Sequence, residues 1–401
     1  MRIGVYLENY RAGGLDRVMI DTLNHWPFHE DVFVIYCNDN HQGLPFLRQQ
    51  LAVTVEWRIY SAPAYMRQSV WSARWRQEGA RIFYNVVGCY WHMLFDIPRL
   101  RKIFQSDQLQ ALMVHNGGWP AARTTRSAII AGYLAGIPKL LMIVHGVMNR
   151  YHWANRFQEM TLSRYLRSIP LQVVGVSRAV CKGLDRAGLP LCQPILNGVC
   201  RVSIRAEATS LRTELTLSNA DYVLGVFGTL EWYRGHQVLL EMLHQLRQSI
   251  ANPVVLLVGT GTLQERARIQ EKIDLLGLGS YVRLLGFRQD VPALMSLCDV
   301  VVNPVLTSES FSLVAVEAMS LKIPVIASRV GGLPEVIEDG ESGYLVPVGD
   351  VSALVDKCLV LYAQPHLRGQ MAEAGYRRYR RLFTAPRMAT NYQTLCQCLE
   401  E

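Results

Sequence analysis

The sequence lacks several features that would place it in a special class of protein. No apolar run approaches the roughly 18–20 residues that a membrane-spanning helix needs, which argues against an integral membrane protein. The nine cysteines contain no C-x-x-C pair, so the sequence predicts neither a zinc site nor a disulfide framework. Glycine and proline occur in ordinary numbers and form no low-complexity tract. We therefore expect a reduced, globular, cytoplasmic protein.

The sequence does contain enough apolar residues for more than one hydrophobic core. The chain has 401 residues, of which 50% are hydrophobic and 18% charged. At roughly 100–200 residues per domain, this length predicts two or three domains. The charge is uneven, because residues 1–200 hold 22 Lys or Arg against 12 Asp or Glu, whereas the remainder holds 19 against 21. The basic first half favours an anionic partner there, although a scatter of solvated arginines explains the same balance.

Short apolar, β-branched runs alternate with helix-length amphipathic stretches along the whole chain. Strands this apolar on both faces are typical of parallel sheets covered by helices. Two such series predict an α/β protein with two doubly wound domains, whose ligands bind at the carboxyl ends of the strands. The polar segment 200–220 is interpreted as the linker. The predicted strands are 2–7, 31–37, 53–60, 111–115, 139–145, 172–177, 222–228, 253–259, 281–287, 299–304, 324–328 and 343–348.

The most informative loop follows the predicted strand 299–304. Glu309 is predicted to open a helix that reaches about Leu321, and Glu317 lies about 80° from it around the helix axis. The first backbone N–H groups of this helix form a candidate anion site without any basic side chain; they belong to Ser310, Phe311, Ser312 and Leu313. On spacing alone, an ordinary core helix capped by Ser308 or Ser310 remains the simpler interpretation.

The neighbouring residues change that interpretation. The stretch 300–328 resembles the E-x7-E signature of family 4 (group 1) glycosyltransferases, and RVGGLPEVIEDGESGYLVPVGD (329–350) resembles the segment that follows it in that family. Further matches lie in order at 4–23, 173–184, 195–199, 226–243, 256–270 and 283–304. The resemblance covers essentially the whole chain and is strongest from 222 to 350.

This family consists of retaining enzymes that use nucleotide-sugar donors and have the GT-B fold. In that fold two Rossmann-like domains face each other across a cleft. The resemblance therefore implies an acceptor-side domain at 1–199 and a nucleotide-sugar-binding domain at 221–383. It also implies a C-terminal helix that crosses back to the first domain with residues 384–401.

The resemblance assigns a UDP- or GDP-sugar donor to the second domain. Glu317 matches the glutamate that accepts hydrogen bonds from both ribose hydroxyls, and Glu309 matches the one that faces the transferred sugar. The backbone at Phe287 and Arg288 is expected to read the nucleobase. Arg234 matches a lysine of the family that binds the diphosphate, and arginine keeps that charge.

Gly13 and Gly14 directly follow the first predicted strand. A backbone without side chains lets a pyrophosphate approach closely there, although a tight turn explains two glycines equally well. The family has a second phosphate-binding arginine where this sequence has Thr229. Three arginines, Arg11, Arg17 and Arg288, are candidate substitutes for it.

Polar residues also end two strands of the first domain. His145 matches a histidine of the family that faces the donor sugar, and it is predicted to be catalytic together with Glu309. His115 and Asn116 end the preceding strand and are candidates for contact with the acceptor. A purely structural role stays equally open for both of them.

No D-x-D triplet occurs, so the metal-dependent donor grip of the other major glycosyltransferase fold has no candidate ligands. The predicted reaction is transfer of a hexose, without metal or cofactor, to a saccharide or lipid-linked saccharide in polysaccharide- or lipopolysaccharide-type biosynthesis. No nucleic acid partner is expected. A GT-B sugar-nucleotide epimerase and a catalytically silent nucleotide-sugar-binding subunit stay open as alternatives, and Thr229 favours the second.

The region 61–104 interleaves tryptophans with basic residues. Trp71 and Trp75 are one helical turn apart and share a helix face, as an interfacial helix requires. The other members are Trp91, Arg67, Arg74, Arg76, Arg81, Arg99, Arg101 and Lys102. The pattern fits either a packed helix with a solvated basic side or a patch that docks peripherally on the anionic cytoplasmic face of a membrane.

Overall fold

The computed structural model describes residues 1–8, 13–60, 89–120, 124–148, 156–201, 208–307 and 309–397. The chain divides into two compact units, Met1–Asn197 with Ala385–Glu401, and Gly198–Thr384. The sequence-based boundary at 199 lies two residues from this division. Each unit contains one parallel sheet with helices between successive strands.

The first unit contains a seven-stranded sheet in the order β3-β2-β1-β4-β5-β6-β7. Its strands are β1 (Arg2–Leu7), β2 (Val32–Asn38), β3 (Val55–Tyr60), β4 (Ala111–Asn116), β5 (Lys139–Val144), β6 (Leu171–Gly175) and β7 (Cys192–Pro194). Its described helices are α1 (Gly14–Asn24), α2 (Leu44–Gln50), α3 (Cys89–Asp107), α4 (Thr124–Leu134), α5 (Arg156–Arg167) and α6 (Arg178–Arg186). Strands β4 and β5 are buried along their whole length, as expected for a sheet covered on both faces.

The second unit contains a six-stranded sheet in the order β10-β9-β8-β11-β12-β13. Its strands are β8 (Tyr222–Phe227), β9 (Pro253–Val258), β10 (Val282–Gly286), β11 (Val300–Asn303), β12 (Val325–Ser328) and β13 (Gly343–Val346). Its helices are α7 (Ala208–Glu214), the 3-10 turn Trp232–Arg234, α8 (His236–Leu246), α9 (Leu263–Leu275), α10 (Val291–Ser296), α11 (Leu313–Ser320), α12 (Leu333–Val336), α13 (Val351–Ala363) and α14 (Pro365–Leu382). The last helix, α15 (Ala385–Gln397), belongs to the first unit and packs against α1.

The strand order places one topological switch point in each sheet. In the first unit the chain reverses direction across the sheet between β1 and β4, and in the second unit between β8 and β11. Loops that leave the carboxyl ends of such neighbouring strands diverge and leave a crevice in which α/β proteins bind ligands. The loops after β8 and β11 are therefore the first place to look for a site in the second unit.

All twelve predicted strands are present, and their bounds agree with the prediction within two residues. The thirteenth strand, β7, was missed because it has only three residues and ends in Pro194 at the edge of the sheet. These strands were predictable because each one is a local run of apolar residues bounded by turn residues.

Residues 208–220, the larger described part of the segment interpreted as a linker, belong to the second unit. Residues 208–214 form α7, and Leu211, Leu215 and Leu217 are buried. Arg283 Nε also donates to the Leu215 carbonyl oxygen at 3.0 Å. The prediction failed because two leucines one turn apart are too short a pattern to mark a helix within a polar segment.

Within the described ranges, every helix is too short or too polar to cross a bilayer. The cysteines that the structure describes there as free thiols are Cys37, Cys181, Cys192, Cys200, Cys298, Cys358 and Cys396.

Candidate active site

Two predicted donor-site residues meet at the switch point of the second sheet. Arg234 ends the 3-10 turn that follows β8, and Glu309 lies in the loop that follows β11. Arg234 Nη1 donates to Glu309 Oε2 at 2.6 Å, across 75 residues of sequence. The side chains are 29% and 13% exposed, respectively. The fold thus joins the predicted phosphate-binding cation to the carboxylate that was predicted to face the sugar.

The electrostatics of this pair leave both residues able to bind a polar ligand. Burial raises the pKa of the Glu309 carboxyl above its usual range, while Arg234 and the backbone amide of Phe311 oppose that rise. Arg234 Nε is buried and has no hydrogen-bond partner among the described residues. A buried guanidinium N–H without an acceptor is costly, and a phosphate oxygen is the acceptor that the guanidinium fork suits best.

Glycines hold the two loops in this position. Gly235 has a φ of +77°, and a Cβ on it would lie 1.8 Å from the Pro304 carbonyl oxygen. Gly331 has a φ of +57°, and its Cβ would lie 1.9 Å from the carbonyl oxygen of Glu309, which also accepts from the Gly332 amide at 2.7 Å. Sequence reasoning assigned no role to these glycines. The Gly-Gly pair at 331–332 belongs to the segment that resembles the family, but the sequence does not show that these two glycines approach Glu309.

The helix that was predicted to open at Glu309 begins four residues later. Ser312 is the N-cap of α11, and its hydroxyl also accepts from Asn303 Nδ2 at 2.9 Å. This cap competes with a helical start at Glu309, whose carbonyl oxygen is instead bound by Gly332. Ser310 and Phe311 therefore precede the helix, and Leu313 is its first residue.

A carboxylate is bonded to Thr229, which stands where the family has its second phosphate-binding arginine. Thr229 Oγ1 donates to Glu231 Oε2 at 2.8 Å, and the Tyr233 hydroxyl donates to the same oxygen. Of the candidate substitutes, Arg17 is paired with an aspartate one turn on, and Arg11 lies outside the described residues. Glu231 was not anticipated, although it stands two residues from Thr229 in the sequence.

The predicted nucleobase loop follows β10. Phe287 is 70% exposed. The Arg288 guanidinium donates to both Asp290 oxygens, at 2.8 and 2.6 Å, and to Glu214 Oε1 at 2.7 Å. Its guanidinium is thus bound by two carboxylates, and its role as a substitute phosphate cation stays a prediction. Recognition of the nucleobase by this backbone stays a prediction. The same holds for ribose binding by Glu317, which lies half-buried on α11.

In the first unit, the glycine turn after β1 is held by a buried carboxylate. The Gly13 amide donates to Asp16 Oδ2 at 3.0 Å, and Asp16 Oδ1 lies 3.0 Å from His41 Nε2. Both of the latter side chains are fully buried. Among the described residues, no atom apart from its chain neighbours lies within 4 Å of a Cβ built on Gly13. Gly14 begins α1, and phosphate binding at Gly13 and Gly14 stays a prediction.

The two predicted histidines of the first unit form a hydrogen-bonded pair at the ends of β4 and β5. His115 Nδ1 lies 2.9 Å from His145 Nε2, and the rings stack with centroids 5.2 Å apart. Burial lowers the pKa of His145 to about 4, and burial together with the neighbouring His145 ring lowers the pKa of His115 well below its usual range. These lowered pKa values favour two neutral imidazoles near pH 7, in which one ring donates an N–H to the unprotonated nitrogen of the other.

His115 and Asn116, the candidates for contact with the acceptor, are 2% and 0% exposed. Their acceptor role stays a prediction. Asn116 Oδ1 accepts from the Gly118 amide at 2.8 Å, and Asn116 Nδ2 donates to Thr125 Oγ1 at 2.9 Å. These bonds hold the loop after β4, which is the structural role that the sequence had left open.

The described residues contain no group of three or more His, Cys, Asp or Glu that could hold a metal ion. Metal independence of the reaction stays a prediction.

Two Rossmann-like units of this kind define the GT-B fold. The crystal structure of Anabaena HepE in complex with UDP superposes on this chain with a TM-score of 0.79 and 20% sequence identity, and the match covers all of both chains. The same protein in complex with UDP-glucose gives a TM-score of 0.75 at 20% identity, again over all of both chains. At this identity the likeness establishes the fold alone.

Sequence relatives establish the family. The profile of the glycosyl transferases group 1 matches residues 221–364. A phosphatidyl-myo-inositol mannosyltransferase of Mycobacterium leprae is 35% identical over 309 residues, which are 74% of this chain and 76% of that protein. An N-acetyl-alpha-D-glucosaminyl L-malate synthase of Bacillus anthracis is 28% identical over 195 residues, and the chain spans only about half of its length. The chain belongs to the group 1 glycosyl transferases, as its motifs had indicated.

Proposed function

We propose that this protein is a retaining, metal-independent hexosyltransferase. It moves a sugar from a UDP- or GDP-sugar to a saccharide or lipid-linked saccharide acceptor in glycan biosynthesis. The observation that carries the proposal is the Arg234–Glu309 pair, which places a partly exposed guanidinium and a carboxylate at the switch point of the second sheet. The complexes of Anabaena HepE with UDP and UDP-glucose support this donor class.

Each residue of the proposed donor site has a separate task. Arg234 and the amides that lead into α11 bind the diphosphate and stabilise its charge as it leaves. Glu317 accepts hydrogen bonds from the ribose hydroxyls. Glu309 accepts a sugar hydroxyl and stabilises the positive charge that develops on the ring. In the first unit, His145, whose ring lies 2.9 Å from that of His115, keeps the catalytic role that the family resemblance gives it.

The ion pair suggests how donor binding and the catalytic carboxylate are coupled. A guanidinium has five N–H donors, and one of those on Arg234 is used by Glu309. An arriving phosphate shares Arg234 with Glu309, which leaves the carboxylate more basic and directed at the sugar. Diphosphate and sugar are thus recognised by neighbouring atoms of a single site.

Binding and turnover measured on matched variants test the assignment. Glu317→Ala is expected to remove most affinity for UDP or GDP, because a charged hydrogen bond contributes about 1.5–3 kcal/mol. Glu309→Gln is expected to lower turnover while nucleotide affinity changes little, since its partner is the sugar. Glu271→Gln, an exposed carboxylate on α9, is the control. Unchanged titration of Glu317→Ala by isothermal calorimetry would remove the ribose assignment.

One observation favours a catalytically silent subunit as the second candidate. Glu231, which accepts hydrogen bonds from Thr229 and Tyr233, places a carboxylate beside the position where the family has a cation. A panel of UDP- and GDP-sugars, followed by mass spectrometry for hydrolysis, transfer and epimerised sugar, separates the candidates. Donor binding without any product would favour the silent subunit, and an epimerised free sugar would favour the epimerase.

We also propose a cytoplasmic location with peripheral contact at an anionic membrane. Most of the region 61–104 lies outside the described residues, including Trp71 and Trp75. Its described part, α3, exposes Leu94 and Phe95 at 64% and 71%, together with the basic residues Arg99, Arg101 and Lys102. Exposed apolar and basic side chains on one helix support such contact. Salt-sensitive cosedimentation with anionic vesicles, weakened in Arg101→Gln/Lys102→Gln, is the test.

A further inference from the structure

A groove in the first unit, between α5 and the end of α6, is lined by several basic residues. It has a volume of about 930 Å³ and is lined by four arginines, Arg156, Arg164, Arg167 and Arg186. This volume lies within the range of about 300–1,000 Å³ that is typical of small-molecule sites. None of the lining residues belongs to the proposed donor site. We refer to it as the arginine groove.

Acidic residues nearby do not neutralise the arginine groove. Glu159 on α5 is bound to Arg126 at 2.7 Å, and both side chains are buried. Asp185 on α6 accepts from the Cys192 amide at 3.3 Å. Among the described residues, no ion pair joins a carboxylate to any of the four arginines.

Helix ends explain only part of this charge. Arg164 and Arg167 lie in the last turn of α5, and Arg186 in the last turn of α6, where cations favourably oppose the helix dipole. Arg156 lies outside both of these last turns, so the helix-dipole argument does not account for it.

A second and independent observation also indicates a ligand. Ser163 lines the groove, is 2% exposed, and its hydroxyl has no hydrogen-bond partner among the described residues. A helical serine ordinarily bonds the carbonyl one turn back, so an unpartnered buried hydroxyl calls for an acceptor or donor from outside. The remaining walls include Met148 and Met160, which offer an apolar surface beside the cations.

We infer that the arginine groove binds a phosphoryl group carried by an amphiphilic molecule, with the arginines and Ser163 on the phosphate and the methionines on the apolar part. Arginine forks match phosphate oxygens in geometry and charge. The exposed Phe157 on α5 and Leu191 after α6, at 81% and 88% exposure, provide further apolar surface next to the lining residues in sequence. The same chemistry is met by a phospholipid headgroup or by a soluble phosphorylated molecule, and the experiment distinguishes these sources.

Three variants and two probes test the inference. Arg164→Gln/Arg186→Gln removes two groove charges and leaves Arg167, which donates to the Leu189 carbonyl oxygen at 3.2 Å. Arg380→Gln/Arg381→Gln, on exposed positions of α14, removes the same charge elsewhere. Ser163→Ala removes the unpartnered hydroxyl. The probes are inorganic pyrophosphate, by calorimetry with the donor site saturated by UDP, and vesicles of phosphatidylcholine alone or mixed equally with phosphatidylglycerol, by cosedimentation.

We expect the groove double variant to bind the anionic vesicles about 25-fold more weakly, at about fivefold for each arginine lost near an anionic surface. The control pair should change much less. Ser163→Ala should weaken pyrophosphate binding several-fold without lowering the melting temperature. Titration with UDP, which reports on the donor site, should be the same in all variants, so failure here is distinguishable from failure of the proposed function.

Loss of vesicle binding that is specific to the groove variants supports a lipid phosphate. Loss of pyrophosphate binding alone, with vesicle binding unchanged, supports a soluble phosphorylated ligand of the same groove. Equal losses in the groove and control pairs, or full retention of both activities in Arg164→Gln/Arg186→Gln and Ser163→Ala, would overturn the inference.

Discussion

Replacing Arg234 by glutamine removes the cation that offsets the burial of Glu309. The two side chains are 2.6 Å apart, and only 13% of the Glu309 side chain is exposed. A hydrogen bond between charged groups contributes about 1.5–3 kcal/mol. At about 1.4 kcal/mol per pKa unit, its loss should raise the pKa of Glu309 by about one to two units beyond the rise that burial already causes.

The direction of the stability change follows from proton linkage. A carboxyl whose pKa is raised by folding contributes stability below its unfolded pKa, and this contribution is lost as the pH rises through the folded pKa. Arg234→Gln is therefore expected to lower the free energy of unfolding by about 1.5–3 kcal/mol at pH 8. At pH 5 the loss should be much smaller, because most of Glu309 in the variant is then protonated.

Urea unfolding at pH 5 and pH 8 measures this difference. Five proteins are needed: the wild type, Arg234→Gln, Arg234→Lys, Glu309→Gln and the double variant Arg234→Gln/Glu309→Gln. In the Glu309→Gln background, the Arg234 substitution should have the same effect at both pH values, since the titrating carboxyl is gone. Arg234→Lys, which keeps the cation, should retain most of the stability. An equal loss at both pH values, or a pH dependence that survives in the Glu309→Gln background, would refute the reasoning.

Three further predictions concern the remaining parts of the site. The folded-state pKa of His145 is lowered to about 4, whereas an unperturbed imidazole has a pKa of about 6.5. The free energy of unfolding should therefore fall as the pH drops from about 6.5 toward 4. NMR of the imidazole nitrogens should report neutral His115 and His145 at pH 6, and protonation of either near pH 6.5 would contradict the pair. Gly331→Ala should reduce turnover and stability together, because its Cβ would lie 1.9 Å from the Glu309 carbonyl oxygen; a variant with normal turnover and melting temperature would argue against that contact. Transfer should persist in EDTA, measured by product formation, and activity that is lost in EDTA and restored by Mg²⁺ or Mn²⁺ would show that a metal is required.

The sequence by itself determined the fold class and the family. Each strand is a contiguous apolar run, so the twelve longer strands were predictable from local pattern, and the alternation with helices required parallel sheets. The donor motif could be recognised because the family has its residues at fixed spacing within one loop and helix. Where a local pattern was short or ambiguous, the prediction failed: Leu211 and Leu215 did not reveal α7, and the cap at Ser312 moved the start of α11 past Glu309.

Only the tertiary structure decided which of the predicted residues touch. Arg234 and Glu309 are 75 residues apart and meet because β8 and β11 are neighbours in the sheet. His115 and His145 are 30 residues apart and meet because β4 and β5 pair. The arginine groove likewise depends on the fold, because its lining residues come from α5 and from the end of α6, about 20 residues further along the chain. Hydrophobic periodicity reports which face of an element is buried, whereas contacts between loops depend on strand order, which is set by packing of the whole sheet.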